Sequence, residues 1–190
     1  MIKDLKVALR KQAADQRAAL HLELADMAAA HLLTLPFPVE PQPGFSCVSA
    51  FHQYGSEIDT RPLLGKLAGE GWTTALPVVV AKNQPLIFRR WLPGEPLEMG
   101  TMKISVPLMS SPLVEPDVLL VPLLAFDRHG YRLGYGGGFY DATLALLGAR
   151  KKIVAIGVAY AGQEVENVPH EPHDMKLDYV MTEQGMIKCV

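Results

Sequence analysis

Cysteine is scarce: Cys47 and Cys189 are the only two in 190 residues. Cys47 sits in an apolar run and Cys189 is next to last, so neither a disulfide framework nor a cysteine-based zinc cluster can be built. One buried thiol and one tail thiol are expected instead. His170 and His173 lie close together, but with no cysteine or third histidine nearby they do not compose a zinc site. No apolar run is long enough to cross a bilayer, and the stretch from Met1 to Arg17 is charged throughout, without the apolar centre of a signal peptide. A cytoplasmic protein is expected. A basic surplus is also missing: the formal net charge is −2, which does not suit a nucleic-acid binder. Neither nucleic acid nor membrane is an expected partner, and a monomer is the expected state.

What is present makes a core. Hydrophobic residues are 49% of the chain and charged ones 20%, a globular balance, and the length suits a single domain over 1–190. The first segment has helical spacing, with Ile2, Leu5, Leu9, Ala13, Gln16 and Leu20 forming a stripe. A second helix is expected from about Leu22 to Leu33, ended by Pro36, Pro38, Pro41 and Pro43. Phe45 to Phe51 reads as a buried strand, followed by the loop Gly55–Thr60. Thr60 is placed to cap a helix that reaches about Gly69, with Pro62 in its first turn. Strands are expected over Trp72–Val80, interrupted by Pro77, and over Leu86–Trp91. Residues 92–117, rich in Pro, Gly and Ser, show little period and read as a long surface excursion. Asp117 to Pro122 is continuously apolar after its first residue, as a central parallel strand covered on both faces requires. A helix over Tyr140–Leu147 and strands over Lys152–Tyr160 and Tyr179–Thr182 complete the chain.

Strands alternating with helices predict α/β layers around a mostly parallel sheet. In such sheets ligands collect beyond the carboxyl ends of the strands. The strand ending at Val121 is expected to lead directly into the densest glycine cluster of the chain, Gly134-Tyr-Gly-Gly-Gly138. Backbone N–H groups there can approach an anion closely, and a helix starting near Gly138 adds its positive end. Arg132 can supply a forked contact to phosphate, and Asp141, one turn into the helix, can hold Mg²⁺. A tight turn with a helix cap explains the glycines equally well. The motif is neither a Walker A loop nor the Gly-x-Gly-x-x-Gly of dinucleotide binders. Lys6 and Arg10, four apart on one helix face, could converge on an anion or form a solvated basic face. Asp174 could be a turn cap or a ligand.

The segment Leu120-Val-Pro-Leu-Leu-Ala-Phe-Asp-Arg-His-Gly-Tyr-Arg-Leu-Gly-Tyr-Gly-Gly-Gly-Phe-Tyr-Asp141 closely resembles the signature of 5-formyltetrahydrofolate cyclo-ligases, also called methenyltetrahydrofolate synthetases. Lys6-Val-Ala-Leu-Arg10 is similar to that family's N-terminal helix motif, Glu57-Ile-Asp-Thr60 to its substrate segment, and His173-Asp174 with Asp178 to its C-terminal motif. All four occur in the family's order and spacing. The resemblance implies a three-layer α/β fold like that of the sugar-phosphate isomerase and CoA-transferase group. It implies ATP-dependent cyclisation of 5-formyltetrahydrofolate to 5,10-methenyltetrahydrofolate, with release of ADP and phosphate, through a phosphorylated imidate. Its substrates are then 5-formyltetrahydrofolate and ATP, with Mg²⁺ as cofactor.

Carried onto this chain, the resemblance assigns ATP to Lys6, Arg10, Arg132, Leu133, Gly134, Tyr135, Gly136, Gly137, Gly138, Phe139 and Tyr140. It assigns the folate to His52, Glu57, Tyr135 and Phe139, the metal to Asp141 and Asp174, and catalysis to Arg132, Tyr140 and Asp141. Tyr135, Phe139 and Tyr140 could pack on a pterin ring or simply on the core. Two positions depart from the family's common pattern. Phe139 stands where many members carry Tyr. The stretch Lys103-Ile-Ser-Val-Pro107 stands where many carry Gly-Ile-x-Glu-Pro, so an acidic residue is missing.

Overall fold

The computed structural model describes residues 2–82 and 84–190. Helix α1 runs unbroken over Ile2–Thr34, one 33-residue rod where two helices were expected. Nothing between those ends breaks it: the segment contains no Gly or Pro and is rich in Ala and Leu. It stops just before Leu35-Pro36, as the restriction on a pre-proline residue requires. The face it buries also differs from the expected stripe. Lys6, Ala13 and Arg17 are buried in its first half and Ala28 and Leu32 in its second, whereas Ile2 and Leu5 are exposed.

Strands β1 (Cys47–Ser49), β2 (Thr73–Val78), β3 (Ile87–Arg90), β6 (Leu113–Val114), β7 (Val118–Pro122), β10 (Val154–Val158), β11 (Tyr179–Thr182) and β12 (Gly185–Lys188) form one sheet, ordered β12-β11-β10-β7-β1-β2-β3-β6. The inner run β11-β10-β7-β1-β2 is parallel and the outer pairs are antiparallel. This is the mostly parallel sheet that the alternation of elements predicted. Alternate residues of β7 show the layering. Val118 and Leu120 enter a core with Ala28 and Leu32 of α1 and with Leu63, Leu64 and Leu67 of α2 (Arg61–Gly69). Leu119 and Val121 enter a second core with Leu144 and Leu147 of α3 (Phe139–Gly148). A period-two strand, apolar at every position and covered on both faces, is what a middle layer needs.

Several local expectations change. The first strand is shorter than Phe45–Phe51, and β2 runs through Pro77. Proline is tolerated there because β1 pairs only with Thr73 to Ala75, leaving no partner on that side for a missing N–H. Thr60 holds the cap position of α2, but its hydroxyl makes no cap bond. It donates instead to the Phe51 carbonyl at 2.8 Å, tying the exit of β1 to the start of α2. The 92–117 segment is structured: β4 (Leu97–Met99) and β5 (Ser105–Pro107) form a hairpin, and β6 adds the sheet edge. Finally, β7 does not lead straight into the glycine cluster. A small hairpin of β8 (Ala125–Phe126) and β9 (Arg132–Leu133) intervenes. Asp127 fixes its turn, accepting from the backbone N–H of His129, Tyr131 and Val168.

Candidate functional site

Strand order reverses at the β1/β7 pair: the chain leaves β1 toward β2 on one side, while β7 and β10 extend the sheet on the other. A crevice opens beyond the carboxyl ends of strands at such a point. The exit of β1 supplies His52 to Glu57. The exit of β7, through the β8–β9 hairpin, supplies Arg132 and the glycine loop. The first half of α1 lies against both, and so brings a third set of side chains to the same place.

That third set is cationic. Lys6 is 8% exposed, and its Nζ lies 2.5 Å from Asp174 and 3.2 Å from Glu171. Arg10 donates through Nε to the Gly134 carbonyl at 2.9 Å. Lys6 and Arg10 therefore share a helix face yet end on different partners, the C-terminal segment and the glycine loop. Arg17 is 4% exposed. Its Nε donates to Ser56 Oγ at 3.0 Å, one terminal nitrogen to the Leu123 carbonyl, and the other to the Tyr135 hydroxyl. Sequence reasoning left Arg17 unassigned. The signal was its place on the face of Lys6, Arg10 and Ala13, at helical spacing.

The glycine loop is shaped by close approach as well as by turning. Gly136 has φ +93°, and a Cβ there would meet the Arg10 guanidinium at 3.2 Å. At Gly137 a Cβ would lie 2.6 Å from the Phe139 ring. Gly138, at φ +65°, caps α3 in the left-handed conformation. Arg132 points inward. It pairs with Asp141 at 2.9 Å and donates to the Met175 carbonyl. Asp141 Oδ1 also accepts from the Met175 N–H at 2.9 Å, so the start of α3 is stitched to the segment that carries Asp174. Burial works to raise the Asp174 carboxyl. The Lys6 ammonium, the Glu171 N–H and the nearby His173 outweigh it and hold the group below its usual range. Tyr140 is partly exposed, but its hydroxyl is buried and has no hydrogen-bond partner among the described residues. That burial pushes the phenol far above its ordinary range, with the Glu57 charge adding and Arg132 opposing.

On the β1 side, Glu57 is 5% exposed. Its Oε2 accepts from the Tyr54 N–H at 2.8 Å, and its Oε1 lies 3.7 Å from Arg17. Burial pushes its carboxyl up to about 7, against the Tyr54 N–H, Arg17 and the Tyr135 hydroxyl, which favour the ion. Tyr135 is 49% exposed and its ring meets Tyr54 edge-on at 6.0 Å. An exposed aromatic pair thus flanks a buried carboxylate, a surface suited to a flat ring with hydrogen-bond donors on one edge. His52 is half-buried beside the same loop, with Nδ1 3.3 Å from the Gln53 carbonyl. Of the two departures, Phe139 covers Gly137, and Val106 is buried in the β4–β5 hairpin against Gly100, where a Cβ would meet it at 2.7 Å.

Both thiols lie outside the site and are free. Burial pushes Cys47 up to about 12 and Cys189 to about 11, so neither is a ready nucleophile. Among the described residues no group of three or more His, Cys, Asp or Glu is placed to hold a metal ion. Two carboxylates, Asp141 and Asp174, are the kind of donor set that Mg²⁺ takes together with phosphate and water; in this structure Asp141 is paired with Arg132 and Asp174 with Lys6. Among the described residues, no helix is long and apolar enough to cross a membrane.

Comparison with known proteins identifies the family and the fold. The model of the 5-formyltetrahydrofolate cyclo-ligase family matches residues 2–183. The 5-formyltetrahydrofolate cyclo-ligase of Escherichia coli K12 is 37% identical over 167 residues, covering 84% of this chain and 88% of that protein. The NMR structure of the Aquifex aeolicus 5,10-methenyltetrahydrofolate synthetase superposes with a TM-score of 0.77 at 28% identity, over 97% of this chain and 92% of that one. The Mycoplasma pneumoniae 5,10-methenyltetrahydrofolate synthetase shares the fold, with a TM-score of 0.72 at 23% identity over 94% and 98% of the two chains.

Proposed function

Since the chain belongs to the 5-formyltetrahydrofolate cyclo-ligase family, we propose that it cyclises 5-formyltetrahydrofolate to 5,10-methenyltetrahydrofolate at the expense of ATP. The observation that carries this reading is the convergence on one crevice of a cation-bearing helix, a glycine loop with aspartates beside it, and a buried carboxylate flanked by tyrosines.

The chemistry needs each part. An amide oxygen is a poor leaving group, and phosphorylation makes it a good one. The formyl oxygen attacks the γ-phosphorus, the β–γ bridging bond breaks, and ADP leaves. N10 then attacks the activated formyl carbon and gives up its proton. The C–O bond breaks and phosphate carries the former formyl oxygen away. Positioning and charge stabilisation are most of what a protein supplies to such a transfer. Lys6, Arg10 and Arg132 supply cations, and the N–H groups of residues 133–140 supply donors for the phosphates. Glu57 accepts from the donor edge of the pterin. His52 borders it, and Tyr135 and Phe139 offer ring faces. Asp141 and Asp174 would hold Mg²⁺, which when bound offsets the negative charge of the phosphates. The Tyr140 hydroxyl, which feels the charges of both Glu57 and Arg132, would be a donor for an oxygen of the reacting group.

The test is direct. Purified protein is mixed with 5-formyltetrahydrofolate, ATP and Mg²⁺, and the near-ultraviolet absorbance of the methenyl product is followed. Product formation dependent on all three is expected. ATP hydrolysis that ignores the folate, or none at all, refutes the assignment.

A further inference from the structure

The mechanism just given uses two cations of the buried face of α1, Lys6 and Arg10, and leaves the third unused. Arg17 is the most enclosed of them, and it touches the loop after β1, the exit of β7 and the glycine loop. Nε reaches Ser56 in the loop after β1, and Nη1 reaches the Leu123 carbonyl just beyond β7. Nη2 reaches the hydroxyl of Tyr135 in the glycine loop. The same Nη1 faces Glu57 at 3.7 Å, and the guanidinium carbon stands 5.3 Å from the centre of the Tyr135 ring.

We propose that Arg17 is a positioning residue for the folate half of the reaction: it locks the Glu57 carboxylate and the Tyr135 ring into one rigid surface that fixes the pterin against the nucleotide loop.

The case is geometric. A fork with donors in three directions can fix three segments at once, which a single-point ammonium cannot. Tyr135 is half exposed and belongs to a loop of glycines, so its orientation needs an external anchor. Arg17 supplies that anchor from a long helix, the stiffest element in reach. Glu57 accepts from a pterin edge with both oxygens, and at charge-assisted strength, only when ionised. The groups that face it are Arg17 from α1, the Tyr135 hydroxyl from the glycine loop, Tyr140 from α3 and the Tyr54 N–H of its own loop. Arg17 is the only full positive charge among these, so it also favours the ion. Removing that charge moves the Glu57 midpoint upward, and folate binding then requires a higher pH.

The proposal rests on the folate reading above, and the experiment separates the two. Wild-type protein is first shown to form methenyl product. If it does not, the functional reading fails before Arg17 is tested. KM for 5-formyltetrahydrofolate and for ATP are then measured from pH 6 to 9 for the wild type, R17K, R17Q and S56A. R17Q is expected to raise folate KM at least tenfold at pH 7, to leave ATP KM within about threefold, and to move the pH midpoint of folate KM upward. R17K keeps the charge and loses the fork, so folate KM rises while the midpoint stays. S56A removes one arm of the anchor and raises folate KM a fewfold. Should R17Q fail to fold, R17K and S56A carry the test. Unchanged folate KM in R17K and S56A, or equal losses for folate and ATP, overturns the proposal. So does a lower melting temperature with unaltered KM values, which marks a purely structural arginine.

Discussion

Replacing Glu57 by Gln is expected to change stability in a way that depends on pH with a defined sign. Glu57 is almost wholly enclosed, and burial raises its carboxyl from 4.5 to about 7 in the folded protein. In the unfolded chain it returns to its ordinary value. Below pH 4.5 both states bind the proton and the residue contributes no slope. Between 4.5 and 7 the folded state keeps a proton that the unfolded state has released, so stability falls as pH rises. Above 7 both states are ionised and the loss is complete. Each pH unit in that window costs about 1.4 kcal/mol, so the loss reaches about 3 kcal/mol by pH 8. Glutamine keeps the shape and an oxygen for the Tyr54 N–H, but it cannot ionise. Whatever constant cost its amide incurs beside Arg17 is the same at every pH. Urea unfolding of wild type and E57Q at pH 4.5, 6, 7 and 8 isolates the effect. The difference in unfolding free energy should swing toward E57Q by about 3 kcal/mol across that range and then level off, a shift of about 6–12 °C in melting temperature for a chain of this size. E57Q should also lose most turnover, because the neutral amide offers the pterin a weaker acceptor. A stability difference that stays flat from pH 4.5 to 8 would refute the picture of a desolvated acid kept for binding.

Other outcomes follow from the same geometry. Asp141→Ala removes a proposed metal ligand and leaves buried Arg132 without its carboxylate; methenyl formation should drop below about one-hundredth of wild type. Unfolding stability should drop with it by about 2 kcal/mol, and unchanged turnover contradicts the metal assignment. Gly136→Ala places a Cβ at positive φ and 3.2 Å from the Arg10 guanidinium. ATP KM should rise about tenfold or more with a smaller change for folate, read from initial rates. Chelation with EDTA should stop product formation and added Mg²⁺ should restore it, while the circular dichroism of the fold stays unchanged.

The elements most legible in the sequence were those dictated by local chemistry. Val118 to Val121 announced a strand covered on both faces, because an uninterrupted apolar run has few other uses. The glycine cluster announced positive φ, which Gly136 and Gly138 adopt, and a helix start, which falls at Phe139. What escaped notice depended on contacts distant in sequence. The helical stripe of α1 was expected to bury Ile2 and Leu5, since amphipathic spacing assumes that apolar groups face the core. In the structure its first half buries Lys6 and Arg17, because their partners, Asp174 and Tyr135, arrive from much later in the chain. Arg17 was therefore left unassigned, although it shares the face of Lys6 and Arg10 at helical spacing. The hairpin within 92–117 was missed because its strands are three residues long, too short to display a period. Thr60 was correctly seen as a helix-start residue, yet its hydroxyl serves Phe51 rather than the cap.

The unbroken rod of α1 has a consequence for how the protein is made. In synthesis Lys6 must wait for a residue 168 positions later, and Arg10 for one 124 positions later. Contacts so far apart in sequence close late, after the local elements have formed. A nascent chain can therefore hold a finished helix and a growing sheet while its crevice still lacks the aspartate opposite Lys6. A chain that has not yet reached residue 174 holds the finished helix with its Lys6 ammonium still facing no carboxylate from that segment.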